Sequence, residues 1–196
     1  MDSAWPTGPF ICAAAPDPLA LAAVLLAGVG AARAQNLRIG LREDPDILDP
    51  TLARTFVGRM VFASLCDKLF DINEKLEIVP QLATGYRWED AKTLVVTLRE
   101  GVRFHDGEPM DAEAVKFSLE RHLTMPGSFR RPELAAVDRV EAVDPATVRL
   151  LLKAPFSPLI AQLTDRAGMI VSPKAAKRAS ASLAWAAVSG ASTSSL

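Results

Sequence analysis

The stretch Phe104–Leu123, FHDGEPMDAEAVKFSLERHL, decides how the rest of the chain is read. Its first half is turn chemistry, with Asp106-Gly107 forming a corner whose glycine accepts positive φ at no steric cost. Its second half is a helix with a marked start. Asp111 stands where a carboxylate accepts from the free N–H groups of a first turn, Glu113 suits the positive end of the dipole, and Met110 can pack on Val115 as a staple. Val115, Leu119 and Leu123 recur at helical spacing as a core face, with Phe117 beside them. A helix with one apolar face needs a surface to cover, so strands are sought on either side.

On the N-terminal side, Leu76–Val79, Gly85–Trp88, Thr93–Leu98 and Val102–His105 alternate apolar and polar residues, and Asp90-Ala91-Lys92 closes a hairpin. These read as a small antiparallel sheet. On the C-terminal side, Val137–Val143, a turn at Asp144-Pro145-Ala146-Thr147 and Val148–Leu152 read as a second β pair. Further out, Phe56, Val57, Met60, Val61, Ser64, Leu65 and Lys68-Leu69 fall near one helical face. Before them, Leu37, Ile39 and Leu41 alternate as a short strand entering a loop rich in Asp and Pro. After the second pair, Ser157-Pro158 opens a helix to Ala167 with Gly168 as a left-handed stop, Met169–Val171 reads as a strand, and Ser172-Pro173 opens a last helix. The order is that of an α/β or α+β protein.

The chain has 196 residues, a formal charge of -1 and 49% apolar residues, which excludes wholesale disorder and a many-spanning membrane protein. With 22 Lys+Arg against 23 Asp+Glu there is no basic footprint for nucleic acid, and none is expected as a partner. Fifteen uncharged residues, Pro18–Ala32, followed by Ala32-Arg33-Ala34, read as an export signal cleaved between Ala34 and Gln35. Residues 1–17 hold Asp2 and Asp17 but no Lys or Arg, unlike the basic start of such a signal. Cleavage would remove Cys12 and leave Cys66, a lone cysteine on an apolar stretch, read as core filler with no disulfide. At the other end, Ala179–Leu196 carries no charge, and twelve of its eighteen residues are Ala or Ser. It reads as a disordered or frameshifted tail.

Catalytic constellations are not found. His105 and His122 lie in different elements and outside any HExxH pattern, so they read as surface or structural imidazoles, and no metal or other cofactor is expected. There is no G-x-S-x-G elbow and no phosphate-binding loop, and Gly28-Val29-Gly30 lacks the third glycine and preceding strand of a dinucleotide fingerprint. Asp44, Asp46 and Asp49 are broken up by Pro45 and Pro50 and read as loop and capping residues. Arg54, Thr55 and Arg59, around the start of the first long helix, are candidate ligand contacts: Arg for a carboxylate, Thr as a hydroxyl donor. Arg166, placed at the end of the helix before Gly168, is a fourth.

Phe104, Asp106-Gly107, Pro109, Ala112-Glu113 and Val115-Lys116-Phe117 stand in the register of a motif of the extracytoplasmic solute-binding proteins of family 5, which the sequence resembles. The resemblance runs from Arg38 to about Lys177 and takes in LDPT at Leu48–Thr51, VPQLAT at Val79–Thr84, Trp88, TLVVTLREGVRFHDG at Thr93–Gly107 and APFSPLIAQL at Ala154–Leu163. With RHLTMPGSFRRPEL and DRAGMIVSP, it is most similar to the glutathione- and dipeptide-binding branch.

The resemblance implies an α/β fold of the periplasmic-binding-protein type II kind. It places residues 35–70 and 155–178 in a partial first lobe, 71–154 in an inserted β-rich α+β subdomain, and the second lobe outside the chain. It implies a periplasmic, monomeric, non-enzymatic component of a peptide-type ABC importer, with a small peptide-like solute and inner-membrane permease subunits as partners. Members are much longer than 196 residues, so a truncated or frameshifted product with impaired binding is expected, and a non-functional pseudogene product is the alternative. A secreted enzyme or sensor on the same scaffold is a third reading, against which the missing catalytic groups count.

Overall fold

A computed structural model describes residues 38–179. The expected export signal, its Ala34/Gln35 cleavage point and nearly all of the Ala/Ser-rich tail lie outside those residues. The chain divides into two compact units, Met1–Gly40 and Leu41–Leu196. Of the first, residues 38–40 are described, and they hold no regular structure.

The second unit starts with an irregular Asp- and Pro-rich loop and then helix α1, Phe56–Leu65. Thr55 caps α1 by accepting the Gly58 N–H at 3.0 Å, and the Cys66 N–H closes it on the Phe62 carbonyl. Val57 and Phe62 are buried while Phe56 and Met60 face outward. The apolar period runs on to Leu69, but the helix stops earlier because Leu69 is already paired elsewhere, its N–H donating to the Gly168 carbonyl.

Strands β1, Phe70–Ile72, and β2, Ile78–Pro80, form a two-stranded antiparallel ribbon. Strands β3, Ala83–Asp90, β4, Thr93–Leu98, β5, Val137–Asp144, and β6, Thr147–Leu152, form a four-stranded antiparallel sheet in the order β3-β4-β6-β5. Of the expected small sheet, the segment at Ile78–Pro80 therefore pairs with β1, while β3 and β4 join the second β pair in one sheet, through β4 and β6 in the register Leu94↔Leu150 and Val96↔Val148. These four side chains are fully buried. The alternate face carries the row Arg87, Val95, Arg149, Glu141 and is laced by exposed Arg–Glu pairs.

Helix α2, Ala112–Thr124, lies between the two hairpins in sequence and packs on β5 and β6. Its start is as expected, with Asp111 accepting the Ala114 N–H at 2.9 Å. Val115 and Leu119 join the sheet's apolar face, Met110 and Leu69 in one core.

Four expected elements differ. Residues 38–41 make no strand: Ile39 is 69% exposed, and among the described residues no neighbouring strand takes up its backbone groups. Val102–His105 turns back on itself: Phe104 N–H donates to the Glu108 carbonyl and Met110 N–H to the Val102 carbonyl, around Gly107 at φ 84. Met169–Val171 keeps a single bridge, Met169 to Lys68, closed by the Leu69 N–H on the Gly168 carbonyl and the Ile170 N–H on the Asp67 carbonyl, and goes no further because the Val171 N–H donates to the Ser118 hydroxyl. The helix after Ser157-Pro158 is one turn, α3, Leu159–Gln162, without a side-chain cap, followed by a 3-10 turn at Arg166–Gly168. Gly168 is not a left-handed stop. A Cβ there would lie 1.9 Å from the Leu163 carbonyl oxygen, so glycine is needed for close approach as the chain bends back. The last helix begins as expected, at residues 173–179, with the Ala175 N–H donating to the Ser172 hydroxyl.

Candidate functional site

The loop Asp46–Thr55 is shaped by two of its own carboxylates. Asp46 accepts the Arg54 backbone N–H at 2.8 Å and the Thr55 hydroxyl at 3.0 Å, and these bonds hold its carboxyl below the ordinary range. Asp49 accepts the Thr51 N–H at 2.9 Å and grips Arg121 of α2 with both oxygens. Burial pushes the Asp49 carboxyl up, but the Arg121 hydrogen bonds and charge outweigh it and the net shift is downward. Asp46 and Asp49 are thus loop-shaping and capping residues, as their spacing suggested.

Around the end of this loop the four expected ligand contacts come together. Arg54 is exposed, and its guanidinium lies 5.1 Å from the centre of the Phe129 ring. Thr55 caps α1. Arg59, one turn along, is held by Asp165, with Nε and Nη2 each 3.0 Å from a carboxylate oxygen. Arg166 opens the 3-10 turn after α3, not the end of a helix, and it is buried, with Nη1 donating to the Ala53 carbonyl at 3.1 Å and the Thr55 carbonyl at 3.3 Å.

Sequence reading missed Arg130, which approaches from the loop after α2. Its Nη2 donates to the same Ala53 carbonyl at 3.3 Å and its Nη1 to Glu133 at 2.6 Å. Burial, and then the neighbouring Arg130 charge, lower the pKa of Arg166, while burial raises that of Glu133 against the pull of Arg130. One signal was available. Arg130 sits in the run between Gly127 and Pro132, a loop with the charge and turn residues of a binding segment.

Arg54 and Arg166 make no ion pair among the described residues. Arg54 is exposed and Arg166 buried, so an anionic or carbonyl-bearing group would meet Arg54 first, the Thr55 hydroxyl being already donated to Asp46. Chemistry on a substrate has no comparable support. The one hydroxyl–imidazole pair on this loop, Thr51 Oγ1 to His122 Nδ1 at 2.9 Å, is sealed in the core with both residues at 0% exposure. Burial pushes the Cys66 thiol up to about 11, which leaves it protonated and unreactive. Among the described residues no group of three or more His, Cys, Asp and Glu could hold a metal ion, and no helix is long and apolar enough to cross a membrane. An apolar recess of about 300 Å³, lined by Leu65, Cys66, Phe104, Met110, Ile170 and Ala175, includes none of the four expected side chains.

Residues 77–191 match the family described as bacterial extracellular solute-binding proteins, family 5 Middle, so the matched stretch runs past Arg178 into the Ala/Ser-rich end. The glutathione-binding protein of Salmonella paratyphi A is 33% identical over 155 residues, which are 78% of this chain and 30% of that protein. The Escherichia coli murein tripeptide binding protein superposes with a TM-score of 0.66 at 26% identity, over 70% of this chain and 31% of that one. A protein from A. tumefaciens R10 solved with agropinic acid gives a TM-score of 0.59 at 30% identity, over 78% of this chain and 29% of its own. The expected α/β fold of the periplasmic-binding-protein type II kind is therefore met, and the chain spans about 30% of the length of the curated relatives it matches.

Proposed function

Because the chain belongs to the bacterial extracellular solute-binding proteins of family 5, we propose that it contributes the first-lobe side of the solute site in a peptide-type ABC importer. The solute class is a di- or oligopeptide or a glutathione-like molecule. What carries this reading is the convergence of Arg54, Thr55, Arg59 and Arg166 on one loop at the start of α1, with Arg54 exposed and free of any ion pair among the described residues. Peptide-type solutes end in a carboxylate and are rich in carbonyls, which guanidinium donors recognise.

In this reading residues 35–70 and 155–178 belong to the first lobe and 71–154 form the inserted subdomain, and the location of β3 to β6 and α2 within 83–152 supports that division. The chain acts in the periplasm as a monomer, after removal of residues 1–34, and delivers solute to permease subunits. One loop offers a solute a few contacts and no enclosure, so this stretch alone binds weakly, with a Kd of about 1 mM or higher, equivalent to roughly 4 kcal/mol or less.

Titration of the 196-residue chain with reduced glutathione and with a dipeptide mixture, followed by NMR, tests this. Saturable shifts confined to the Arg54–Arg59 amides and the Arg54 and Arg166 guanidinium signals are expected. Shifts elsewhere, or none, would sink the site. Micromolar binding in a calorimeter would overturn the claim of weakness.

A further inference from the structure

His122 joins three pieces of the fold. It projects from α2, its Nδ1 lies 2.9 Å from the Thr51 hydroxyl of the loop described above, and its Nε2 lies 3.3 Å from the Met169 carbonyl after the 3-10 turn. The surroundings assign the protons. A carbonyl only accepts, so Nε2 carries hydrogen and Nδ1 is the acceptor. The Thr51 oxygen already takes an N–H from Arg121, which leaves its own proton to point at Nδ1. The next residues along, Leu52 and Ala53, have N–H groups that both donate to the Asp49 carbonyl, so this loop is tied to α2 through Thr51 and Asp49 together.

We propose that His122 is a proton-operated latch on the loop Asp49–Thr55, closed when the ring is neutral and released when Nδ1 is protonated. A proton on Nδ1 would force the Thr51 hydroxyl to turn its own proton away, and would place an imidazolium, at 0% exposure, beside the Arg121 guanidinium that bonds the same oxygen, which disfavours the closed arrangement. The charges facing the ring work in the same direction. Arg121 from α2 and Arg130 from the following loop both disfavour a cation, and Asp49, the opposing charge, has its two oxygens on Arg121. Burial, the largest cause, together with these charges pushes the imidazole down to about 4. Released, Thr51 no longer anchors the segment that presents Arg54 and Thr55, so acidification would loosen the solute side of the site. That consequence rests on the function proposed above, whereas the latch does not.

The test is hydrogen exchange on the 196-residue chain without solute, corrected for the pH dependence of intrinsic exchange. If the open loop leaves His122 at its ordinary value of 6.5 and the closed loop at about 4, opening rises about tenfold between roughly pH 7.5 and roughly pH 5.5. The expected result is that rise at the amides of residues 52–58, at a lower opening free energy than that of β4 and β6, which exchange on global unfolding, and its loss in His122→Asn, which keeps a neutral polar group. No rise in the parent chain, or an equal rise in the variant, overturns the latch. Should His122→Asn fail to fold, the ring is titrated by NMR in the unaltered chain: a midpoint below about 5 supports the latch and one near 6.5 overturns it. Neither readout uses solute. Their failure leaves the solute site standing, and a failed solute titration leaves the latch standing.

Discussion

Arg54 and Arg166 were both candidate ligand contacts in the sequence, and their surroundings give them different work. Arg166 is 8% exposed and donates to the Ala53 and Thr55 carbonyls, whereas Arg54 is exposed with its guanidinium over the Phe129 ring. Arg166→Met removes donors from the Ala53 and Thr55 carbonyls, which keep Arg130 and the Arg59 N–H, so it should cost about 1 kcal/mol in urea unfolding, while Arg54→Met should stay within about 0.5 kcal/mol. Solute-induced shifts should show the reverse order and be lost first in Arg54→Met. Equal stability losses in the two variants would contradict this division. A sequence can mark an arginine as present in a loop next to a helix start. It does not say whether the guanidinium points into the core, because that depends on Ala53 and Arg130, which lie 113 and 36 residues away from Arg166. For the same reason Arg130, which shares the Ala53 carbonyl, went unnoticed.

Elements whose cause is local were legible, and those whose cause is distant were not. The cap at Asp111, the core face of α2, the strand Thr93–Leu98 and the corner at Gly107 follow from residues a few positions apart, and the structure has all of them. The pairing of β4 with β6 joins segments about 50 residues apart and left no mark in either strand's alternation. Likewise Leu37, Ile39 and Leu41 have the period of a strand, but a strand is a paired object, and residues 38–41 have no pairing neighbour among the described residues. The β1–β2 ribbon holds a local conflict that sequence reading passed over. Leu76 sits in its turn at φ 63 with 84% of its surface exposed, so it bears the cost of a left-handed backbone without burying its side chain. Asn73 compensates, accepting the Lys75 and Glu77 N–H groups on its side-chain oxygen. Leu76→Gly should relieve the steric term and raise stability by about 1 kcal/mol, less the entropy glycine loses on folding. Thermal unfolding of the two chains side by side decides it, and a lower midpoint for the variant would refute the assignment of strain to this turn.

At the scale of the whole molecule, the buried ionisable groups set how stability depends on pH. His122 has a folded value of about 4 against 6.5 when free, so the unfolded chain takes up a proton that the folded chain resists. Its contribution is complete above about pH 6.5 and is lost as pH falls towards 4, a total of roughly 3 kcal/mol. Asp49 is lowered from 3.8 by Arg121, so its contribution is present above 3.8 and is lost only under stronger acid. Glu133 is raised from 4.5 and works in the opposite sense, favouring the folded chain most when protonated, which partly offsets the fall near that pH. The expected profile is a plateau above pH 7, a first decline between about 6.5 and 4 owed to His122, and a second below 4 owed to Asp49. Carboxylates alone would give only the second. Urea unfolding at a series of pH values separates the two, because His122→Asn should flatten the first decline and leave the second in place. A parent chain whose stability holds level down to about pH 4.5 would mean that the imidazole is not held neutral by the fold, and the three-way junction of Thr51, α2 and Met169 would then have to be stabilised by packing alone.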